Sequence, residues 1–132
     1  MGMYTSVVAE VRLKPEGVPI IARLRLAEGG WRGLVGDFPW LKDWAEYSRA
    51  DFIPFGDSGE NSLEGDIWKF RCELKNYDGT IEYFFENVLP KLVEEVLLLV
   101  TQGEVEDFPT EWKMQDGKIS PKTWRSAGGG HA

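Results

Sequence analysis

Carboxylates are the side chains of this sequence that are best suited to chemistry. An acidic stretch runs from Glu104 to Glu111, and the pair Glu94-Glu95 precedes it. Carboxylate oxygens bind Ca²⁺ or Mg²⁺ and, in pairs, perform acid–base catalysis. The spacing matches no EF-hand loop, however, and acidic residues beside an apolar strand usually keep a sheet edge soluble. We therefore predict no metal site, no cofactor and no catalytic residue here.

Other catalytic residue types are scarce. The single histidine, His131, lies in a Gly-rich C-terminal stretch, and this disfavours triads or dyads that need an ordered imidazole. One histidine and one cysteine are too few for a zinc site built from these residues. Cys72 falls in an alternating apolar run, which is typical of a core residue. The sequence favours a binding protein over an enzyme.

Aromatic residues concentrate between Gly29 and Gly65, in a stretch that is also rich in Gly, Pro and Asp. Long loops often carry function, and Trp is enriched among interface hot spots. Acidic neighbours of these rings would suit a basic partner. The predicted partner-binding residues are Trp40, Trp44, Asp43, Glu46 and Asp51. The alternative is that the rings form a hydrophobic cluster under the loop.

The charge of the chain bears on its partners. Fifteen Lys and Arg oppose 22 Asp and Glu, which gives a formal net charge of −7. Without a basic cluster, direct nucleic-acid binding is not predicted, because phosphate contacts supply most of that affinity. A basic or nucleic-acid-binding protein is the expected partner, and a homodimer is the alternative.

Neither a signal peptide nor a membrane span is predicted. The first residues lack a charged region followed by an apolar run, and the longest apolar run, 96–100, is too short to cross a bilayer. We therefore expect no membrane partner and a cytoplasmic location.

The first half of the chain predicts a strand, a helix and a long irregular insertion. Residues 5–13 alternate apolar and polar side chains, as a half-buried strand does. Residues 18–28 fit a helix, although Ala22, Leu24 and Leu26 also alternate with arginines as in a strand. Within 29–65 we expect only a helical turn near 41–47 and a strand near 50–55.

The second half gives clearer patterns. Residues 66–75 alternate strictly and predict a strand whose apolar side chains are Trp68, Phe70, Cys72 and Leu74. Asp78 is a candidate N-cap for an amphipathic helix, and Pro90 should end that helix or lie in its last turn. The Val-rich run 93–104 predicts a central strand buried on both faces. A last strand opens at Pro109, and Gln115-Asp116-Gly117 predicts a tight turn before a short return.

These elements predict an α+β fold. We expect a ferredoxin-like antiparallel or mixed sheet with two helices on one face and a long irregular insertion. A single domain should cover residues 1–120, and residues 121–132 should form a flexible C-terminal tail.

The stretch 68–78, which runs into 81–84 and Leu89-Pro90, resembles a group of small bacterial and phage proteins. That group pairs a strand, a Lys-Asn-Tyr-Asp-type turn and an amphipathic helix, and it often begins Met-Tyr-Thr, as at 3–5 here. The resemblance covers about half of the chain. It carries no catalytic motif and no established activity, and it implies a phage or mobile-element origin.

Two hypotheses of function follow. The first is a small acidic protein-binding module that acts by occupying the surface of a host protein. The alternative is a small-molecule binding protein or carboxylate-based hydrolase, with a pocket between sheet and loop that contains Asp51, Asp57 or Glu73.

Overall fold

The computed structural model describes residues 4–26, 30–47, 49–54, 60–76 and 79–122. The strands are β1 (Tyr4–Leu13), β2 (Glu60–Glu64), β3 (Ile67–Lys75), β4 (Val93–Gly103), β5 (Thr110–Gln115) and β6 (Lys118–Pro121). The α-helices are α1 (Gly17–Leu26), α2 (Lys42–Ala45), α3 (Thr80–Tyr83) and α4 (Leu89–Leu92), and the 3-10 turns are Gly30–Leu34, Pro39–Leu41 and Ala50–Phe52. A π-helical turn, Phe84–Val88, joins α3 to α4 in one helical segment, 80–92.

The strands form one six-stranded sheet in the order β2-β3-β1-β4-β5-β6. Every pairing among the described strands is antiparallel, so the sheet is antiparallel rather than mixed. The α+β class is confirmed, whereas the ferredoxin-like topology is not. In this chain β1 lies at the centre and pairs antiparallel with both β3 and β4, which is not the ferredoxin-like strand order.

The inner face of the sheet carries the alternating apolar residues. In β3 the predicted set of Trp68, Phe70, Cys72 and Leu74 is buried, and the polar residues between them are exposed or half-buried. Their side chains pack with Val7 and Val11 of β1 and with the buried side chains of the helices in one core. The strand predicted at 5–13 is confirmed in the same way by the buried alternate residues of β1.

Helix α1 confirms the helical interpretation of 18–28 over its described part. Ile20, Ile21 and Leu24 are buried at helical spacing, whereas the arginines of its last turn are exposed. At Gly17 the backbone lies so close to the end of segment 80–92 that a Cβ atom would stand 2.6 Å from the Leu92 carbonyl oxygen. This close approach brings the two helical elements together at one end of the core.

The helical segment 80–92 follows β3 after a short connection. The Asn76 side chain accepts a hydrogen bond from the Ile81 amide at 2.8 Å and donates one to Glu82 at 2.9 Å. Asn76 therefore caps the first turn, while the predicted cap, Asp78, lies outside the described residues. Pro90 sits in the last turn, as predicted, and the π-helical turn precedes it. A proline ring collides with the carbonyl four residues earlier, and a wider turn relieves that collision.

The long insertion departs from prediction in two places. The expected strand near 50–55 is wrong, because Ala50–Phe52 forms a 3-10 turn. The stretch read as loop up to residue 65 contains β2, which pairs with β3 from Glu60 to Glu64. The helical turn expected near 41–47 is confirmed by α2.

Strand β4 and the hairpin that follows form the other side of the sheet. The prediction that 93–104 is buried on both faces is wrong, because the glutamates and two leucines of β4 are exposed. The predicted tight turn is confirmed: Asp116 and Gly117 both have positive φ, of 56° and 76°, as a type I′ hairpin turn requires. Strands β5 and β6 thus form the predicted final hairpin.

Candidate protein-binding surface

Trp44 lies in the core rather than on the surface. Its side chain is 1% exposed, and its ring centroid lies 5.0 Å from that of Phe84 and 6.1 Å from that of Trp31. Trp31 is also buried, and its indole N–H donates a hydrogen bond to the Ile53 carbonyl. The alternative interpretation of a hydrophobic cluster under the loop therefore holds for these two rings.

Trp40 is the predicted site residue whose ring reaches solvent. It is 37% exposed, in the 3-10 turn that precedes α2. The Lys91 ammonium of α4 lies 5.1 Å from its ring centroid, a cation–π distance. Lys91 thus covers part of this ring, and less of it is open to a partner.

The three predicted carboxylates are all exposed. Asp43 lies in the first turn of α2, and Glu46 follows directly after that helix, where it pairs with Lys42 at 3.9 Å. Their spacing of three places them on neighbouring positions of a helical turn. Asp51 stands apart in the 3-10 turn Ala50–Phe52 and makes none of the described contacts with the other two. The structure thus brings Asp43 and Glu46 together but leaves Asp51 outside the pair.

Two tyrosines complete a surface around these carboxylates. Tyr47 and Tyr83 are half-buried, and their ring centroids lie 4.6 Å apart. Trp44 packs against both tyrosines from the core. Its ring centroid lies 6.1 Å from that of Tyr83, with an angle of 7° between the two ring planes, and 5.8 Å from that of Tyr47. We name Tyr47, Tyr83, Asp43 and Glu46 the Tyr47–Tyr83 surface.

The electrostatics of this surface are visible at Tyr83. Desolvation raises the pKa of its hydroxyl above the ordinary value, and the nearby negative charge of Asp43 and the Tyr47 hydroxyl raise it further. The Asp43 carboxylate therefore creates a negative potential at the hydroxyl of Tyr83. A cation brought to this position would be attracted by the carboxylate.

Sequence reasoning found half of this surface. Asp43 and Glu46 were predicted site residues, but Tyr83 belongs to α3 and comes near α2 only through packing of the helical layer. The signal for Tyr83 was its place beside the buried stripe of the helix that begins after Asn76. A tyrosine at the margin of such a stripe keeps its hydroxyl at the surface while its ring packs below.

The alternative pocket between sheet and loop is small. Glu73 is exposed and lines a cavity of about 130 Å³ with Arg49, Phe52 and Lys75. A second cavity that Glu73 lines, of about 400 Å³, lies over β1, β3 and the end of β4 and does not involve the loop. Ligand pockets for drug-sized molecules typically span about 300–1,000 Å³. Asp51 lines neither cavity, and Asp57 lies outside the described residues. The described carboxylates Asp51 and Glu73 therefore do not form one site at either cavity.

A larger cleft lies between the β5–β6 hairpin and the helical segment. Its volume is about 600 Å³, and charged side chains of both signs line it, among them Glu86, Lys113, Asp116 and Lys118. All four are exposed. Among the described residues that line the cleft, none is a buried polar group of the kind that orients a small ligand.

Across the described ranges, no group of three or more His, Cys, Asp or Glu side chains is placed to hold a metal ion. No helix in the described part of the chain has the length and apolar character needed to cross a bilayer.

No family model, no curated protein and no solved structure matches this chain. The resemblance to small bacterial and phage proteins therefore stays a prediction.

Proposed function

We propose that this protein is a binding module that occupies the surface of a basic protein partner through the Tyr47–Tyr83 surface. The observation that carries the proposal is the pair of half-buried tyrosine rings, 4.6 Å apart, beside the exposed carboxylate of Asp43. Tyrosines fixed on a rigid core supply contact area at low cost in conformational entropy, and they are enriched in interface hot spots.

An arginine or lysine of the partner is the side chain that fits this surface best. Its aliphatic stem would pack on the exposed parts of the two rings, and its cationic group would form charge-assisted hydrogen bonds with the carboxylates of Asp43 and Glu46. The net charge of −7 would attract such a partner over longer distances and raise the association rate. If the chain is encoded by a phage or mobile element, as the resemblance implies, the partner is a host protein.

The proposal places the site differently from the sequence-based prediction. Trp44 supports the surface from the core, and Trp40 lies beside Lys91. Asp43 and Glu46 keep the role of partner-binding residues, and Tyr47 and Tyr83 take the place of the two tryptophans.

The test is affinity capture from nuclease-treated lysate with matched charge-reversal variants, followed by calorimetry on the purified partner. Reversal of the site carboxylates, Asp43→Lys with Glu46→Lys, should weaken binding at least about tenfold, or about 1.4 kcal/mol. The control reverses two exposed carboxylates of the edge strand β2, Glu60→Lys with Glu64→Lys, and changes the net charge equally. It should bind like the wild type.

Equal losses in both double variants would mean that only the net charge attracts the partner, and the proposed site would be wrong. Unchanged binding in the site variant would have the same consequence. Tyr47→Ala adds a test of the aromatic part: binding should fall while the far-ultraviolet circular dichroism spectrum stays that of the folded protein.

A further inference from the structure

Strand β4 has one edge that is only partly paired. On one side, β1 pairs with it from Val93 to Gly103. On the other side, β5 pairs with it at two positions, Val100 with Glu111 and Thr101 with Thr110. In the described structure, the stretch 93–99 therefore forms no ladder with β5. Unpaired strand edges of this kind accept a further strand through main-chain hydrogen bonds.

Apolar side chains stand at this edge. Leu97 and Leu98 are each 43% exposed, although β4 lies inside the sheet order. Leu97 is the extra residue of a bulge, since Glu10 of β1 pairs with Leu98 and Val11 pairs with Val96.

Where β4 and β5 diverge, a cavity of about 210 Å³ opens between Val96–Leu99 and Glu111–Met114. We name this gap the β4 wedge. Sheet edges exposed to water usually carry charges or prolines instead of leucines.

The charges on the two sides of the exposed leucines differ. Glu94 and Glu95 precede the leucines and are exposed, whereas Lys113 and Lys122 line the β4 wedge together with Glu111, which pairs with Val100 beyond the leucines. A two-fold axis near Leu97 would run the two β4 strands antiparallel. It would bring the glutamates of each copy to the lysines of the other, as an isologous interface requires.

We propose that two copies of this chain associate through β4, antiparallel about a two-fold axis at the β4 wedge. The leucines of both copies are buried against each other, and the glutamates face the lysines of the opposite copy. Within one chain Glu95 pairs with Arg12 and Lys122 with Glu111, both at the surface. Exposed pairs of this kind are weak and exchange partners readily. The interface is separate from the Tyr47–Tyr83 surface, so the inference does not depend on the proposed function.

Sedimentation equilibrium with charge-reversed variants tests this inference. The wild type should be dimeric at about 100 µM, far above a micromolar dissociation constant. The variants Glu94→Lys/Glu95→Lys and Lys113→Glu/Lys122→Glu should each dimerise at least about tenfold more weakly, because like charges then meet across the axis. An equimolar mixture of the two, one of them labelled uniformly with ¹⁵N, should form heterodimers that native mass spectrometry separates by mass. Glu60→Lys/Glu64→Lys on the remote β2 edge is the matched control and should dimerise as the wild type does.

A wild type that stays monomeric at this concentration overturns the inference, and so does a mixture that yields no heterodimer. Circular dichroism verifies that each variant is folded. If a double variant does not fold, Leu97→Lys replaces it, because this bulge residue has no partner in β1. It should give a folded monomer, and a folded Leu97→Lys dimer also overturns the inference. A monomer that still binds its protein partner would leave the proposed function intact.

Discussion

The aromatic cluster under the insertion and the β5–β6 hairpin pack against neighbouring residues of the same helical segment, 80–92. In the cluster, Phe84 lies 5.7 Å from Trp31 and 5.0 Å from Trp44, and all three rings are buried. Towards the hairpin, Phe85 lies 4.9 Å from the ring of Trp112 in β5. One region is thus held by many ring contacts and the other by few.

The hairpin is attached by fewer buried side chains: in the described part of 110–121, Ile119 is the one buried apolar residue, and Trp112 and Met114 pack half-buried against the core. Besides two ladder pairs to β4, the Trp112 indole N–H donates a hydrogen bond to the Thr101 hydroxyl at 2.9 Å. Regions with few buried apolar contacts open locally at a lower free energy than the global unfolding of the domain. Loss of an attachment should therefore unfold the whole protein when it lies in the aromatic cluster, but only the hairpin when it lies in β5 or β6.

The largest expected effect is that of Trp44→Ala. Removing a fully buried ring should lower the free energy of unfolding by about 3–5 kcal/mol, measured by urea denaturation. Trp40→Ala is the matched control at a partly exposed ring and should cost less than about 1 kcal/mol. Trp44→Phe should be milder than Trp44→Ala, because it keeps a ring and removes an indole N–H that has no acceptor among the described residues. A mild Trp44→Ala effect would show that the cluster contributes little to stability.

Next in size is Trp112→Ala. Its ring is half-buried, so the expected loss is about 2 kcal/mol, and it should be local. Hydrogen exchange should accelerate for the amides of 110–121 while those of β1 keep their protection. Exposed Gln115→Ala in the same strand is the control. Uniform acceleration across β1 and β5 would contradict the idea that the hairpin opens independently.

Asn76→Ala tests the helical segment that both regions share. The variant loses the cap of the first turn and should be destabilised by about 1 kcal/mol, measured by thermal or urea unfolding. Asn87→Ala, at an exposed helical position, is the comparison and should change stability by less than about 0.5 kcal/mol. Equal effects of the two substitutions would argue against a capping role for Asn76.

The smallest expected effect is a pH dependence at Tyr83. Because burial raises the pKa of this hydroxyl in the folded state, the unfolded chain loses the proton first as pH rises. Stability should therefore be fully present below about pH 10 and fall above it. Tyr83→Phe should reduce the slope of the free energy of unfolding against pH in that range, with Tyr4→Phe as the matched loss of a hydroxyl. An unchanged slope in Tyr83→Phe would mean that this tyrosine is equally solvated in both states.

Local patterns predicted much of the fold. Three of these patterns each depend on a few adjacent residues: the alternation in β3, the helical spacing of α1 and the Asp116-Gly117 turn. Such signals depend on the backbone periods of helix and strand and need no knowledge of distant partners. They were confirmed for that reason.

The failures concern contacts between distant parts of the chain. The segment Glu60–Glu64 has little strand character of its own and is ordered by its ladder with β3. The placement of β4 beside β1 sets the strand order, and it cannot be predicted from local sequence patterns. The burial of Trp44 under Tyr47 and Tyr83 likewise depends on how α2 meets the helical segment. Half of the candidate site could therefore not be predicted from local sequence patterns.

The rate at which a reagent modifies the Cys72 thiol can distinguish opening of the hairpin from opening of the whole sheet. Its side chain is 0% exposed on the inner face of β3, opposite Val7 of β1, and the β5–β6 hairpin lies on the far side of β1. A thiol reagent can therefore modify this sulfur only when the centre of the sheet opens, and release of the hairpin alone leaves it shielded. Labelling rates of the native thiol would time global opening without any introduced probe.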